Sequence, residues 1–322
     1  MAKVCKAKSL DKGVRMKIDI FEGDALDILK SIDSCSVDLI IADPPYNLGK
    51  DYGNNHDQKT FYDYLEFSRT WTKEAYRILK NTGTIYTFMG VRFISYLYSI
   101  LEKECNFIFN SWITWHYTQG LGKTKGFSPR HDDILMFTKS QNYKFFLDDI
   151  RVPQKYYRSI NNMRGANPGD VWTFSHVHYC NSNRQEHPTQ KPEGIIERMV
   201  LASSEENDIV IDPFSGSGTT LRVCQQLNRN CIGIELNPDY VQITKERLDQ
   251  PFIGFDSIDE RMERVPNDLN NIHIRNEYFK NHKNWFLKYH PNAIVSFENE
   301  IEKKYGKQKV MNTELQLFDN FS

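Results

Sequence analysis

The chain has 322 residues, with 41 Lys and Arg against 42 Asp and Glu, and this length allows one large domain or two ordinary ones. A formal net charge of −1 excludes a histone-like basic protein and an acidic solvating tail, although a local basic face for nucleic acid stays possible. Mean hydropathy of −0.60, short apolar runs and an N-terminus without an apolar signal core predict a cytoplasmic protein with no membrane span.

The first elements along the chain predict the start of an α/β fold. Residues 1–16 show no pattern and are interpreted as a frayed arm, whereas residues 16–21 alternate like a strand. A short amphipathic helix is predicted after Asp24. Residues 36–42 form a compact apolar run that is typical of a buried parallel strand, and the two prolines that follow predict its end.

The next part of the chain continues the alternation of helices and strands. A helix with one apolar face is predicted over 61–79, and the Asn81-Thr82-Gly83 segment should end it. The further elements predicted are a strand at 84–89, a helix at 91–101 and strands at 107–116 and 133–138. The last two strands can be joined by a hairpin or by a crossover, and the pattern does not distinguish these alternatives.

Residues 140–186 lose the regular pattern and mix polar with aromatic side chains. From Trp115 to Glu186 there are ten Lys and Arg against six Asp and Glu, which makes this the most basic long segment. The α/β pattern returns at Pro192 and continues to about residue 248. The tail, 251–322, has interleaved basic and aromatic residues that suit either nucleic-acid binding or a helix packed on the main domain.

The six cysteines indicate neither a disulfide framework nor a metal site. They are scattered along the chain, no Cys-x-x-Cys pair occurs, and the nine histidines have no zinc-like spacing to them. We interpret the cysteines as small buried hydrophobic residues in a reducing compartment, and we predict no metal cofactor.

A glycine-rich turn lies between a predicted strand and a predicted helix, in the segment Asp212-Pro213-Phe214-Ser215-Gly216-Ser217-Gly218-Thr219. Its glycines let the backbone approach a ligand closely, but the segment is neither a Walker loop nor a complete dinucleotide fingerprint. Glu235 ends the following predicted strand, where an acidic side chain can hydrogen-bond a ribose. Together these features indicate a nucleotide-like cofactor.

The segment Asp43-Pro44-Pro45-Tyr46 follows a buried strand, at the end where open α/β sheets bind ligands. A carboxylate can accept a hydrogen bond from an exocyclic amine, and a stiff Pro-Pro backbone offers free carbonyl acceptors. A tyrosine ring can stack on a planar base. The segment therefore suits chemistry on a ring that carries an amino group, although a plain strand-terminating turn would have the same position.

A third motif, His187-Pro188-Thr189-Gln190-Lys191-Pro192, precedes a predicted helix. With the two segments above, it resembles the amino-group DNA methyltransferases that use S-adenosylmethionine. Asp43-Pro44-Pro45-Tyr46 matches the catalytic motif of this family, and the glycine-rich turn matches its cofactor loop. The catalytic motif therefore comes first along the chain, which is the permuted order of the β group of this family. The similarity covers about residues 17–250.

This resemblance implies a Rossmann-like methyltransferase fold, with a seven-stranded and mainly parallel sheet flanked by helices. The catalytic residues that it implies are Asp43, Pro44, Pro45 and Tyr46. The cofactor-binding residues that it implies are Asp24, Ala25, His187, Thr189, Lys191, Asp212, Phe214, Ser215, Gly216, Ser217, Gly218, Thr219 and Glu235. In this scheme Asp24 meets the adenine of the cofactor, Glu235 takes its ribose, and Lys191 helps to close the methionine end.

The implied reaction is attack by an exocyclic amine on the sulfonium methyl group, with a base flipped out of duplex DNA and stacked on Tyr46. In the family, Asp at the first motif position goes mainly with adenine N6 and Ser with cytosine N4. Asp43 therefore favours adenine. The alternatives are an N4-cytosine enzyme, a non-catalytic nucleic-acid-binding protein on the same fold, and a methyltransferase for RNA or a small molecule.

The predicted organisation is a catalytic domain at 17–250, with an embedded target-recognition region at about 140–186 and a C-terminal extension, 251–322, of open role. The candidate DNA contacts are Lys123, Lys125, Arg130, Arg151, Lys155, Arg158, Arg164 and Arg184. The partner is double-stranded DNA. A homodimer and a cognate restriction endonuclease are further expectations.

Overall fold

The computed structural model describes residues 4–6, 16–49, 58–117, 122–152, 165–175 and 190–251, and also Glu277. The chain divides into two compact units: residues 1–146 with 170–257, and residues 147–169 with 258–322. In the second unit, the described residues form a 3₁₀ turn at Leu147–Asp149 and a bridge between Val152 and Ala166.

The first unit contains one mixed sheet of nine strands among the described residues. In chain order they are β1 (Val4–Lys6), β2 (Ile18–Glu22), β3 (Val37–Ala42), β4 (Leu79–Met89), β5 (Ile108–His116), β6 (His131–Thr138), β7 (Val171–Thr173), β8 (Ile209–Asp212) and β9 (Asn230–Glu235). Their order across the sheet is β1-β2-β9-β8-β3-β4-β6-β5-β7. In this order the five adjacent strands β2, β9, β8, β3 and β4 are parallel to one another, whereas β6 is antiparallel to both β4 and β5.

The sheet confirms the predicted Rossmann-like class, with one short addition at each edge. The seven adjacent strands that run from β2 to β5 across the sheet match the expected number. Strands β1 and β7, of three residues each, are added at the two edges. The frayed arm predicted for 1–16 is wrong at residues 4–6, because they pair antiparallel with β2. The connection that the sequence left open is a hairpin, since β5 and β6 are antiparallel neighbours.

Six helices flank this sheet in the described part of the first unit. They are α1 (Ala25–Lys30), α2 (Phe61–Ile78), α3 (Ile94–Ser99), α4 (Glu193–Ser203), α5 (Thr219–Gln226) and α6 (Pro238–Asp249), and one π-helical turn follows α3 at Ile100–Glu104. None of the helices in the described ranges is both long and apolar enough to cross a membrane.

Adjacent residues of β4 show that helices lie on both faces. Ile85 belongs to a buried cluster that includes Leu29 of α1 and Trp71 of α2. The next side chain, Tyr86, points the other way and shares a hydrogen bond with Ser203 of α4. Because side chains alternate along a strand, α1 and α2 cover one face and α4 covers the other.

The segment Asn81-Thr82-Gly83, which was predicted to end the helix, is instead part of β4. The strand begins directly after α2, at Leu79, and its pairing with β3 shifts between Leu79 and Thr84. A Cβ at Gly83 would lie 2.6 Å from Leu79 Cδ1 and 2.8 Å from the carbonyl oxygen of Asp38. The glycine therefore permits a bulge within the strand, and a bulge carries turn-like residues without ending the ladder.

Candidate active site

Four carboxylates lie at the carboxyl ends of four neighbouring strands. Strands β2, β9, β8 and β3 are parallel and adjacent, so these ends meet at one edge of the sheet. Glu235 and Asp212 are the last residues of their strands, Asp43 directly follows β3, and Asp24 lies two residues beyond β2. This edge is where open α/β sheets bind ligands.

A cavity of about 370 Å³ opens at this edge. Its lining includes the sequence-predicted residues Asp24, Ala25, Asp43, Pro44, Pro45, Tyr46, Lys191, Asp212, Phe214, Ser215, Gly216, Ser217, Thr219 and Glu235. Gly218 is not part of the lining and lies just behind it, at the start of α5. His187 and Thr189 lie outside the described residues.

The glycine-rich turn has a backbone that requires glycine at position 218. Gly218 has φ +74°, and a Cβ on it would come within 2.3 Å of Thr244 Cγ2 on α6. The hydroxyl of Thr244 donates to the carbonyl oxygen of Gly216 at 3.1 Å. The turn therefore packs directly on α6, which fixes its shape beside the cavity.

Arg247 of α6 holds the same turn from below. Its guanidinium donates to the carbonyl oxygen of Ser217 at 3.1 Å and to Thr219 Oγ1 at 3.0 Å. It also forms a buried ion pair of 2.6 Å with Glu193, the first residue of α4. Because the charges are paired and hydrogen-bonded, one buried arginine links the turn to two helices.

Glu235 uses both carboxylate oxygens to organise the backbone. Oε2 accepts from the amide of Gly216 at 2.8 Å, and Oε1 accepts from the amide of Asn237 at 2.8 Å. Burial raises the pKa of Glu235, while these amides oppose that rise. A carboxylate has about four lone-pair sites, so it can still accept from a ligand hydroxyl.

Asp212 is buried below the turn. Its Oδ2 accepts from Thr220 Oγ1 at 2.5 Å, and its Oδ1 accepts from the amide of Phe214 at 3.1 Å. Burial raises the pKa of Asp212 to about 7, and the nearby charges of Asp43 and Glu235 act in the same direction. The carboxyl therefore titrates near neutral pH.

The two oxygens of Asp43 have different surroundings. Oδ2 accepts from Lys191 Nζ at 2.5 Å. Oδ1 is buried and accepts no hydrogen bond from any described residue. The carbonyl of Pro45 is already engaged, because it accepts from the hydroxyl of Tyr64 at 2.7 Å. The site therefore contains one buried carboxylate oxygen for which no described residue supplies a hydrogen-bond donor.

Two aromatic rings flank the ammonium group of Lys191. Its Nζ lies 5.4 Å from the ring centroid of Tyr46 and 5.1 Å from that of Phe88, which are cation–π distances. The Tyr46 ring packs closely on Gly90, where an added Cβ would lie 3.2 Å from Tyr46 Cδ2. The tyrosine thus has a defined position at the cavity wall.

The cavity wall also contains residues that the sequence did not single out. They include Lys59, Phe67, Gln190, Leu236 and Tyr240. Phe67 of α2 lies 5.9 Å from the ring of Phe214. No motif identifies Lys59 or Phe67, whereas Gln190 stands inside the third motif, and Leu236 and Tyr240 follow Glu235 closely enough to have been found.

The candidate DNA contacts fall in different places. Lys123 and Lys125 are exposed in the β5–β6 connection, and Arg130 at its end donates to the carbonyl oxygen of Pro129. In the second unit, Arg151 pairs with Asp148 at 2.6 Å and also donates to the carbonyl oxygen of Gly165. The remaining four, Lys155, Arg158, Arg164 and Arg184, lie outside the described residues.

An open sheet with a glycine-rich turn, and acids at successive strand ends, defines a nucleotide-cofactor enzyme of the methyltransferase type. Residues 37–246 match the family model N6_N4_Mtase, described as DNA methylase. Type II methyltransferase M.HpaI of Haemophilus parainfluenzae is 62% identical over 297 residues, which cover 92% of this chain and 94% of that protein. The chain therefore belongs to the DNA methylase family.

Two further relatives agree with this assignment. DNA adenine methyltransferase YhdJ of Escherichia coli (strain K12) is 37% identical over 245 residues, which cover 71% of this chain and 82% of that protein. The crystal structure of the M1.HpyAVI–SAM complex has a TM-score of 0.53 and 26% identity, and the match covers 72% of this chain and 98% of that chain. The protein is thus a DNA methyltransferase that uses S-adenosylmethionine.

The residues of the cavity fit this cofactor in size and charge. A volume of about 370 Å³ is within the usual range for ligand pockets. The lining carries four acids, Asp24, Asp43, Asp212 and Glu235, against the two lysines Lys59 and Lys191. This excess of negative charge suits a cofactor with a cationic sulfur and an ammonium group.

We expect Asp212→Asn to change how stability depends on pH. The folded carboxyl keeps its proton up to about pH 7, whereas the unfolded one ionises near 3.8. The free energy of unfolding of the wild type therefore falls as pH rises between these values, because only the unfolded carboxyl releases its proton. The variant has no carboxyl at this position and lacks this loss of stability. Urea unfolding at pH 5, 6, 7 and 8 should show the free energy of unfolding of the variant increasing relative to wild type, then levelling off.

The matched control is Asp27→Asn, since this carboxylate lies on the exposed face of α1, where it pairs with the exposed Lys30. Its difference from wild type should stay constant across the same pH series. Parallel curves for Asp212→Asn and wild type would contradict the assignment of a buried, proton-retaining carboxyl at position 212.

Proposed function

We propose that the enzyme methylates the exocyclic N6 amine of an adenine flipped out of a specific sequence in duplex DNA. The observation that carries the proposal is Asp43 Oδ1, a buried acceptor at the cavity that no described residue satisfies. A buried acceptor of this kind is costly unless a ligand supplies the donor. An exocyclic amine is such a donor, and the adenine specificity in the name of YhdJ supports N6 as its position.

The amine needs help, because its lone pair is delocalised into the base. In the proposed mechanism Asp43 Oδ1 accepts a hydrogen bond from one N–H of the amine, and the Pro44 carbonyl oxygen accepts a hydrogen bond from the other. Two acceptors on the same nitrogen favour the pyramidal geometry in which the lone pair is free to attack. S-adenosylmethionine supplies a methyl group on a cationic sulfur, so the bond from nitrogen to carbon forms as the bond from carbon to sulfur breaks.

The residues around the amine complete the step. The nitrogen carries one extra proton after transfer, and Asp43 Oδ1 is placed to receive it and to pass it to solvent. Tyr46 holds the base by stacking, because its ring is packed against Gly90 at the cavity wall. Much of the rate comes from this alignment of base and methyl group.

The cofactor is proposed to lie along the strand ends in the order of the sheet. Asp24 takes its adenine, Glu235 takes its ribose through the free lone pairs of its oxygens, and the turn at Phe214, Gly216 and Gly218 lies against its methionine part. The side chain of Asp24 also caps α1 by accepting from the amide of Leu26 at 2.8 Å, which fixes its direction.

DNA binding is proposed to use exposed basic residues in the β5–β6 connection. Lys123 and Lys125 are exposed in a segment, 122–130, that contains no acidic residue. The target-recognition role of 140–186 and the role of 251–322 stay predictions. The type II name of M.HpaI supports a cognate restriction endonuclease as partner, and homodimerisation also stays a prediction.

Identification of the methylated base tests the substrate directly. We expect label from S-adenosylmethionine to enter duplex DNA, and N6-methyladenine to be the labelled nucleoside after enzymatic digestion. Mass spectrometry of the nucleosides separates it from N4-methylcytosine. Labelled N4-methylcytosine would establish the alternative specificity, and binding of DNA without any transfer would favour a non-catalytic protein.

Replacement of the proposed acceptor tests the mechanism. Asp43→Ala should lower the methyl-transfer rate at saturating cofactor by more than about 100-fold, because the amine loses its carboxylate partner. Cofactor affinity by calorimetry should stay within a few-fold, and Asp27→Ala on the exposed face of α1 should leave both quantities unchanged. A rate within a few-fold of wild type for Asp43→Ala would overturn the assignment.

The DNA-binding prediction concerns the β5–β6 connection. The double variant Lys123→Gln/Lys125→Gln should weaken duplex binding uniformly across sequences and reduce the slope of log affinity against log salt by about 2. The control is Lys30→Gln/Lys103→Gln, since both lysines are exposed elsewhere. An unchanged salt slope in a fluorescence-anisotropy titration would exclude phosphate contacts by this connection.

A further inference from the structure

The ion pair between Lys191 and Asp43 joins two distant parts of the chain inside the cavity. The residues are 148 positions apart, and Nζ lies 2.5 Å from Oδ2. The lysine side chain is 10% exposed and that of Asp43 is 21% exposed, so this is not a solvated surface pair. A contact of this kind orients its partners, because both charges lose most of their alternative solvation.

The position of Lys191 is set by its contacts with the glycine-rich turn. Its carbonyl oxygen accepts from Thr219 Oγ1 at 3.4 Å, and the same hydroxyl oxygen accepts from Arg247 at 3.0 Å. Lys191 also directly precedes Pro192, the N-cap of α4, whose first residue pairs with Arg247. The backbone of Lys191 is therefore anchored to the turn, while its ammonium group reaches the other side of the cavity.

Asp43 lies in an acidic part of the cavity wall. Asp24, Asp212 and Glu235 also line the cavity, at the ends of neighbouring strands. A positive charge beside one member of such a cluster is electrostatically favourable. Lys191 supplies this charge, and the rings of Tyr46 and Phe88 hold its ammonium group from two sides.

The contact also distinguishes the two oxygens of Asp43. Lys191 occupies Oδ2, and Oδ1 is the buried oxygen that no described residue satisfies. A carboxylate that is held through one oxygen has its plane defined, so its other oxygen faces a constant direction. Without the lysine, the carboxylate loses this contact and can rotate.

We infer that Lys191 is a positioning residue for Asp43: it holds Oδ2 so that Oδ1 presents a fixed acceptor to the target amine. This role differs from the cofactor contact that the sequence motif implies for the same lysine. It rests on the proposed function, because it acts through the catalytic role of Asp43.

The two roles predict different kinetics for Lys191→Met. A positioning role predicts a loss of roughly 10- to 100-fold in the single-turnover methylation rate at saturating cofactor and DNA, with cofactor affinity within about 3-fold of wild type. Lys191→Arg should recover part of the rate, because it restores a cation beside Oδ2. Lys30→Met, at an exposed lysine of α1, serves as the control and should change neither quantity.

A double-mutant cycle with Asp43→Asn separates action through Asp43 from an independent effect. In the Asp43→Asn background, Lys191→Met should cost less than about 3-fold, since the carboxylate it positions is absent. Circular dichroism and thermal melting of each variant establish that it is folded, and Lys191→Arg carries the comparison if Lys191→Met does not fold.

Three results are distinguishable from the expected one. A rate for Lys191→Met that higher cofactor concentration restores would show a cofactor contact and overturn the inference. An equal loss in both backgrounds would show that Lys191 acts independently of Asp43, and would also overturn it. A wild-type rate for Asp43→Asn alone would instead overturn the proposed function on which the inference rests.

Discussion

The need to accommodate several carboxylates at one sheet edge is the constraint on which the site depends. Parallel strands bring their carboxyl ends together, and here Asp43, Asp212 and Glu235 end on three adjacent strands. Each is stabilised differently. Lys191 pairs with the first, the second retains its proton to about pH 7, and two backbone amides hold the third. The negative potential that binds a cationic cofactor therefore does not disrupt the fold.

A chain of contacts also connects the glycine-rich turn to Asp43. Arg247 links the turn to α6 and α4, and Lys191 at the start of α4 reaches across to Asp43. The glycine-rich turn and Asp43 thus belong to one connected set of contacts. This arrangement suits an enzyme of the DNA methylase family, in which two substrates must meet in one orientation.

The sequence predicted strands where it contains a continuous apolar run, but it did not predict the strands at the sheet edges. The apolar run at 36–42 identified β3, and the single apolar face over 61–79 identified α2. The pairing of residues 4–6 was missed, because an edge strand carries little hydrophobic pattern. The segment at Gly83 was predicted to end the helix and precede the strand, because a glycine inside a strand and a glycine after a helix look alike in the sequence.

The sequence by itself determined the family and most of the residues that line the cavity, because short motifs with fixed chemistry follow strands at recognisable positions. Only the tertiary structure decided which partners these residues have. Lys191 and Asp43 are 148 positions apart, and no periodicity relates them. Their contact, and the different surroundings of the two oxygens of Asp43, arise because a later part of the chain returns to the same edge of the sheet.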